Sequence, residues 1–287
     1  MRTLLFLVVG GLLSWSCTTE KTRHLFSKGA PLGHVERRLV EASGLVASIG
    51  NPGLLWTVND DGKPEVFLID QQASTRLVCT LAHIRNRDWE DIAIGAGPDS
   101  TKNYVYVADI GDNEAQYEYK FIYRFEEPQL AAEKAITITQ FDTLILRMPD
   151  GKRDSETILI DHFTSDLFLI TKREESVGLY TTPYPFAHDT LTLRKVMTLP
   201  FSKIVAGSIS SDGQEVLLKN YNNVYYWKGT NGESFAQLLE KKPIELPYER
   251  EPQGEGIAWS RDGSEFYTLS EGTKKRPADL FVYKRKK

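Results

Sequence analysis

The chain has 287 residues, of which 41% are hydrophobic and 26% are charged, as in a soluble globular protein with one sizeable core. Its 39 acidic and 35 basic residues give a formal net charge of −4, which argues against the basic surface of a nucleic-acid-binding protein. We therefore predict no nucleic-acid partner.

The N-terminus has the pattern of an export signal. Arg2 supplies a positive charge, residues 4–13 form an apolar run too short to span a bilayer permanently, and small residues lead to Cys17. Ending at Cys17 resembles a bacterial lipoprotein signal, in which this cysteine is lipidated after cleavage; simple secretion is the alternative. We expect a signal peptide at 1–16, a polar tether at 17–32, and an exported protein anchored to a membrane of the bacterial cell envelope, periplasmic or surface-exposed.

From residue 34 onward, short segments rich in β-branched and aromatic residues alternate with turn residues, which predicts an all-β fold. Asp-Gly pairs, which favour tight turns, stand at 61–62, 150–151, 212–213 and 262–263. One helical pattern covers residues 233–241. Cys79 lies in a strand-like run and is expected to be a buried small hydrophobe.

The strands fall into five repeats, each with three strands and a more variable fourth. An aligned position near the start of the repeats is held by Glu41, Glu90, Glu156, Gly207 and Glu255. A repeat of about 50 residues with four antiparallel strands is typical of a β-propeller, whose blades pack against one another around a central channel. We predict five four-stranded blades.

Two segments affect how this ring closes. The fifth repeat lacks a fourth strand after residues 280–284, and residues 33–40 are the candidate to supply it, so that an N-terminal strand closes the ring of a single domain at 33–287. Residues 135–149, in the long second repeat, are either an extended outer strand or a hairpin. Six blades therefore remain an alternative.

Propeller geometry brings certain polar residues together. The innermost strand of each blade begins at the rim where the second, antiparallel strand ends, so residues before the first strand and after the second converge. The acids expected there, as candidate metal ligands, are Glu41, Asp60, Glu90, Asp109, Asp112, Glu156 and Glu255. The candidate ligand-binding residues are Asn59, Asp60, Trp89, Glu90, Asp109, Lys172, Lys219, Glu255 and Glu271. The candidate catalytic residues are Glu90, Glu156, Lys172, Lys219, Glu255 and Glu271.

Carboxylates gathered at one rim repel one another, so the fold loses stability unless a cation or a lysine offsets their charge. Two carboxylates about 6 Å apart repel each other by about 3 kcal/mol at an effective dielectric of 20. The five histidines show no close metal-binding spacing, whereas carboxylates and amides suit a hard cation, so calcium is the expected cofactor. Two alternatives remain: the glutamates bond to the backbone of the neighbouring blade, and the two lysines only neutralise the ring.

A set of motifs carries a resemblance to a known family. The motifs are SGLVAS, LLWTVNDDG, RDWEDIAIG, YVADIGDN, PDGKRDSETILID, SSDGQEVLLKNY, EPQGEGIA and YTLSEG. Together they resemble a largely uncharacterised family of secreted bacterial β-propeller proteins over nearly the whole mature chain, which implies the fold and an exported location but no reaction. Val58 and Lys219 depart from its pattern, which has histidine and commonly arginine there. More distantly, residues 255–257 are similar to senescence-marker and gluconolactonase propellers, whose rim acids hold a divalent metal and hydrolyse lactones.

Two classes of function stay open at this stage. The first is a membrane-anchored, monomeric binding module whose mouth captures a small molecule, a sugar or a protein partner. The second is a metal-dependent hydrolase of a lactone, ester or phosphoester, in which a rim carboxylate acts as the general base. The sequence contains no Ser-His-Asp order, nucleophile elbow or phosphate-binding loop, which argues against the commoner hydrolases.

Overall fold

The computed structural model describes residues 25–186, 190–230, 232–273 and 277–286. The expected signal peptide at 1–16 and Cys17 lie outside these residues, as does the first half of the expected tether, up to residue 24. None of the helices in the described residues is long and apolar enough to cross a membrane.

Within this part the chain forms 22 strands and one short α-helix. In chain order the strands are β1 (Ala30–His34), β2 (Ala42–Ala47), β3 (Leu55–Asn59), β4 (Glu65–Ile69), β5 (Thr75–Leu81), β6 (Trp89–Gly95), β7 (Tyr104–Asp109), β8 (Tyr119–Glu126), β9 (Ala135–Ile138), β10 (Asp142–Arg147), β11 (Ser155–Ile160), β12 (Leu167–Thr171), β13 (Gly178–Thr182), β14 (Leu191–Thr192), β15 (Arg194–Thr198), β16 (Ile204–Ile209), β17 (Glu215–Asn220), β18 (Val224–Lys228), β19 (Ile244–Leu246), β20 (Gly254–Trp259), β21 (Glu265–Ser270) and β22 (Asp279–Lys284). The helix, α1, is Phe235–Leu239, and a 3-10 turn covers Arg37–Leu39.

These strands form five blades, which confirms the predicted five-bladed β-propeller. Four consecutive antiparallel strands make each of the first four blades, apart from short insertions, and the innermost strands β2, β6, β11, β16 and β20 pack beside one another in a ring. Each blade contributes hydrophobic side chains to the space between itself and its neighbours. Trp56, Ile92 and Ile94, for example, are buried together between the first two blades.

An N-terminal strand closes the ring, as predicted, but at different residues. The closing strand is β1, Ala30–His34, which pairs antiparallel with β22 as the outer strand of the fifth blade, and Phe26 extends this pairing by a bridge to Arg285. The prediction of a strand at 33–40 was therefore wrong in its bounds. Phe26 is fully buried among aromatic rings of the last two blades, so part of the segment expected to be a tether belongs to the fold.

The long second repeat does not open into a sixth blade. Its residues 135–149 split into two strands that serve different blades: β9 adds to the edge of the first blade, parallel to β5, and β10 is the fourth strand of the second blade. The short strand β14 adds in the same way to the edge of the second blade. The chain thus links neighbouring blades at their outer edges.

The predicted helix is present and short. Ser234 caps its start, because the Ser234 hydroxyl accepts a hydrogen bond from the Gln237 amide and the Gln237 side chain accepts one from the Ser234 amide. This reciprocal pair is a capping box. Phe235 and Leu238 anchor the helix to the hydrophobic core beside the fourth blade.

Candidate functional site

A β-bulge lies near the start of every innermost strand. In the second, third and fifth blades the extra residue is Glu90, Glu156 and Glu255, respectively. A bulge leaves one residue outside the ladder of paired residues and redirects its side chain. The repeated glutamates therefore owe their common placement to a local backbone feature that the blades share.

The register of pairing corrects two of the aligned positions. Glu90, Glu156 and Glu255 are each the second residue of an innermost strand, and the equivalent residues in the first and fourth blades are Ser43 and Val205. The alignment of Glu41 and Gly207 with these glutamates was therefore wrong by two residues. It failed because the first blade has its acid ahead of the strand, where the Glu41 side chain is exposed to solvent.

Three carboxylates converge where the first two blades meet. Carboxylate oxygens of Asp60, Asp88 and Glu90 all lie within 4.8 Å of one another. Asp60 follows β3 and Asp88 precedes β6, and the amide of Trp89 donates to the main-chain oxygen of Asp60 at 3.1 Å. We call these three residues the acidic trio.

A glycine permits this close approach. The amide of Gly111 donates to the main-chain oxygen of Asp88 at 3.2 Å, which holds the loop after β7 against the trio. A Cβ atom at residue 111 would overlap the carboxyl group of Asp88 and Oε1 of Glu90. A larger residue at this position would force the loop and the two carboxylates apart.

Glu90 also belongs to a second acidic group, with Asp154 and Glu156, whose oxygens again lie within 4.8 Å of one another. This group has basic partners: Lys172 bonds to Oε1 of Glu156, and Arg173 Nε lies 2.6 Å from Oδ2 of Asp154. Oε2 of Glu156 is buried and has no hydrogen-bond partner in the described part of the chain. The space around Glu156 can therefore accept one further donor or cation.

The fifth blade adds Glu255 and Glu271 to this rim. We call these two residues, the acidic trio and the second acidic group together the acidic mouth. The Tyr221 hydroxyl donates to Oε1 of Glu255 at 2.6 Å, and Lys172 Nζ lies 3.9 Å from the same oxygen. Glu271 accepts a hydrogen bond from the side chain of Gln253, and the charge of Glu255 acts on its carboxyl group. Lys172 thus lies between the glutamates of the third and fifth blades.

Burial and like charges raise the pKa values of these acids. Burial, then the neighbouring carboxylate of Asp88, raises the pKa of Asp60 to about 8. Burial raises the pKa of Glu156 to about 8 although Lys172 acts in the opposite direction, and burial together with Glu255 raises that of Glu271 to about 8. Burial and three surrounding acids hold the pKa of Glu90 well above its usual range. Without a bound cation, several of these groups are protonated near neutral pH.

Other predicted site residues lie away from this mouth. Trp89 is fully buried, with its ring 6.0 Å from that of Tyr123, which places it in the core between blades and not on a ligand-binding surface. Lys219 is fully buried, donates to the main-chain oxygen of Gly254, and has a pKa that burial lowers to about 8. These two side chains support the mouth from beneath it.

Three more predicted residues, at or just after strand ends, form local contacts. The carboxylate of Asp112 accepts bonds from the amides of Gln116 and Tyr117, and Asp109 forms an ion pair with Arg87 at 3.1 Å. Asn59 donates to the main-chain oxygen of Arg38. Asp91, next to Glu90 in sequence, instead accepts the amide of Ile158 at 2.9 Å and so ties the second blade to the third.

Sequence reasoning missed Asp88, Asp154 and Tyr221. A signal for the first two was present, since Arg-Asp-X-Glu occurs at 87–90 and again at 153–156. The aspartate and the bulged glutamate of this repeat therefore face the same mouth in two adjacent blades. Tyr221 has no comparable signal, because its position after β17 becomes part of the mouth only when the fourth and fifth blades pack together.

Comparisons with known proteins add little beyond the fold. No protein-family model matches the sequence, and no curated protein does. Among solved structures, the WD40 domain of Neurospora crassa Pan2 aligns with 9% identity and a TM-score of 0.47 over 92% of this chain and 98% of that one. U3-55K aligns with 12% identity and a TM-score of 0.41 over 85% and 67%, and a nidogen/laminin complex with 10% and 0.45 over 80% and 72%. The resemblances to the secreted bacterial family and to gluconolactonase-type propellers stay predictions.

Proposed function

We propose that this protein is an exported propeller, lipid-anchored in the cell envelope through Cys17, that binds a ligand or partner at its acidic mouth through a divalent cation. Asp60, Asp88 and Glu90 are the proposed ligands of the cation. The observation that carries the proposal is the convergence of their oxygens within 4.8 Å, with Glu90 buried and Asp60 and Asp88 half-buried. Such a group of acids is costly to fold unless a cation or protons compensate it.

The charges around the two acidic groups favour the acidic trio as the cation site. Lys172 and Arg173 already pair with Glu156 and Asp154 in the second group. Within the described residues, no basic side chain forms an ion pair with a carboxylate of the trio. A divalent cation therefore gains most by binding between the first two blades.

The donor set suits calcium and leaves room for a ligand. Calcium takes six to eight oxygen ligands in a flexible geometry, whereas magnesium demands a near-ideal octahedron. Three carboxylates supply only part of that number. Water, or the hydroxyl, carboxyl or carbonyl oxygens of a bound molecule, would supply the others.

The membrane anchor rests on the sequence alone. A positive start, an apolar run and a cysteine at position 17 are typical of a lipoprotein signal. Phe26, which pairs with Arg285 in the fifth blade, is only a short segment after Cys17 in the sequence. A lipid on this cysteine would hold the propeller close to the membrane surface.

Calorimetric titration of the metal-free protein with calcium tests the proposed site. We expect one site per chain in the wild type, and a loss of affinity of at least tenfold in Glu90→Gln and Asp60→Asn. Glu41→Gln is the matched control, because Glu41 is an exposed acid outside the trio whose main-chain oxygen accepts a hydrogen bond from the amide of Asp60. No calcium binding by the folded wild type, or equal binding by Glu90→Gln, would contradict the proposal.

A metal-dependent hydrolase is the second candidate, favoured by one observation. Burial and Glu255 raise the pKa of Glu271 to about 8, so this carboxyl is protonated at neutral pH and can act as a general acid at the fifth-blade side of the mouth. Lactone, ester and phosphoester substrates, assayed with calcium and then with chelator, distinguish the two candidates. Turnover that chelator and Glu271→Gln both abolish would favour the enzyme.

A further inference from the structure

An exposed aromatic ring lies beside the acidic trio. Tyr117, in the loop between β7 and β8, is 43% exposed. The guanidinium carbon of Arg87 lies 4.2 Å from the centroid of the Tyr117 ring and 5.2 Å from that of Phe121. One face of the Tyr117 ring is thus covered by a cation, and the exposed fraction belongs to the rest of the ring.

The support beneath this ring is rigid. Arg87 pairs with Asp109 through Nε and donates to the main-chain oxygens of Asp109 and Tyr119 at 3.2 and 3.3 Å. The amide of Tyr117 itself donates to Oδ2 of Asp112 at 3.0 Å. Lys152, from the next blade, donates to the main-chain oxygen of Gln116 at 2.8 Å. The loop is therefore held in one conformation without help from a ligand.

The same contacts place the ring at the mouth. Arg87 directly precedes Asp88 of the acidic trio in the chain. The amide of Asp112, whose carboxylate holds Tyr117, donates to Oδ1 of Asp154 at 2.9 Å. Asp154 belongs to the second acidic group. The aromatic ring is thus connected to both acidic groups through hydrogen bonds and neighbouring residues.

The charges around the Tyr117 ring indicate which class of ligand can bind to it. A guanidinium on one face draws on the negative electrostatic potential of the ring, so a second cation on the other face gains little. The adjacent carboxylates repel phosphates and other anions. A neutral ring with an apolar face and several hydroxyl groups avoids both penalties, because its hydroxyls can bond to carboxylates or to a bound cation while its C–H face packs on the aromatic ring.

We propose that Tyr117 is the stacking platform of a carbohydrate subsite, on which a neutral sugar ring packs with its hydroxyl groups directed toward the acidic trio. The proposal rests on the proposed ligand-binding mouth and names the class of its ligand. Tyr117 contributes contact area without an entropic cost of ordering, since its loop is already fixed. Burying one aromatic face corresponds to about a tenfold change in affinity.

Saturation-transfer NMR and calorimetry on the full folded domain test this subsite, with cellotriose, xylotriose, maltotriose and chitotriose as probes. We expect at least one probe to bind the calcium-loaded wild type, with the strongest transfer at the C–H protons of one sugar ring. Tyr117→Ala should weaken that binding by about tenfold, and Tyr117→Phe should retain most of it. Phe163→Ala is the matched control, because Phe163 is an aromatic residue, 67% exposed, in a loop of the third blade at the opposite rim.

Calcium titration of Tyr117→Ala separates this proposal from the broader one. Unchanged calcium affinity with weakened sugar binding supports the subsite and the cation site together. Sugar binding that depends on Tyr117 in a protein without calcium affinity would support the subsite and contradict the cation site. Calcium binding with no affinity for any of the four sugars, or sugar binding that Tyr117→Ala leaves unchanged, would overturn the subsite. Stronger binding of spermidine than of the sugars would also overturn it.

Discussion

The carboxyl groups of Asp60 and Asp88 approach each other across the boundary between the first two blades, with oxygens within 4.8 Å. Burial together with the carboxylate of Asp88 raises the pKa of Asp60 to about 8, so near neutral pH Asp60 carries a proton in the absence of a cation. In the metal-free protein a proton therefore takes the position that the proposed cation would take, and the two compete for the same pair of oxygens. Cation binding should release that proton.

The first prediction concerns the stability of the metal-free protein as a function of pH. The pKa of Asp60 is about 8 in the folded state, against a usual value of 3.8. Its protonation therefore favours the folded state: this contribution is complete below pH 3.8 and is lost progressively as the pH rises to about 8. Asp60→Asn removes the titrating group. In chelator, the melting temperature of this variant minus that of the wild type should therefore increase as the pH rises from 4 to 8.

Thermal melts of both proteins at matched ionic strength measure this difference. Comparing the two curves cancels the contributions of the other acids, some of which have lowered pKa values. A constant difference in melting temperature across this range would contradict a protonated Asp60 in the folded state.

The second prediction concerns Gly111. An alanine Cβ at this position would overlap the carboxyl groups of Asp88 and Glu90, so the carboxylates must separate. Displacing residues that orient a metal site typically costs 10- to 100-fold in affinity, and we expect about that loss of calcium affinity in Gly111→Ala. Gly229→Ala is the control, since the atom nearest to its Cβ would be 3.2 Å away. Equal calcium affinity in the two variants would show that the carboxylates do not need this close approach.

The third prediction concerns Cys17. One acyl chain binds a membrane only weakly, but the several chains of a bacterial lipoprotein should hold the protein firmly. Cys17→Ser should therefore move the protein from the membrane fraction to the soluble fraction of a bacterial host that processes lipoproteins. Detection of lipid on the N-terminal peptide by mass spectrometry provides the direct check. A wild-type protein that is already fully soluble would contradict the anchor.

The repeat pattern was enough to predict the blades, because alternating strands and Asp-Gly turns recur at nearly constant spacing. The pattern failed where one segment serves two blades: residues 135–149 form one continuous β-rich run in the sequence, but their two strands join different sheets. It also failed at the closing strand. Leu25 and Phe26 are a short apolar pair in an otherwise polar segment, and the role of Phe26 becomes visible only when the aromatic side chains of the last two blades are assembled around it.

The site was predictable as an acidic rim and not as a set of contacts. Glu90, Glu156 and Glu255 share a β-bulge that repeats in the sequence, so aligning the repeats finds them. Aligning the repeats does not predict which rim side chains are buried. Lys172 reaches the mouth, whereas Lys219, predicted as its equivalent, is buried and bonds to the main-chain oxygen of Gly254. Such differences arise from the packing of neighbouring blades, which no single repeat encodes.

The fourth prediction separates two neighbouring residues of the same strand by their roles. Ile92 is buried between the first two blades, whereas Glu90 faces the acidic mouth. Truncating a buried isoleucine costs about 2 to 5 kcal/mol through lost burial and the cavity left behind. Ile92→Ala should therefore lower the melting temperature with and without calcium and leave the carboxylates in place. Its calcium affinity, measured well below its melting temperature, should stay near that of the wild type.

Glu90→Gln should have the opposite pair of effects: the metal-free fold should keep its stability, and calcium binding should be lost. Burial and surrounding acids raise the pKa of Glu90 well above its usual range, so replacing it with a neutral side chain of the same shape removes repulsion from Glu156 and Asp60. The metal-free variant should be as stable as the wild type or more so. In the wild type, calcium at a hundredfold excess over Kd should stabilise the fold by about 2.7 kcal/mol, and Glu90→Gln should lose most of that gain. Melts of the three proteins in chelator and in calcium give both comparisons, and a metal-free Glu90→Gln as unstable as Ile92→Ala would make Glu90 a structural residue of the fold.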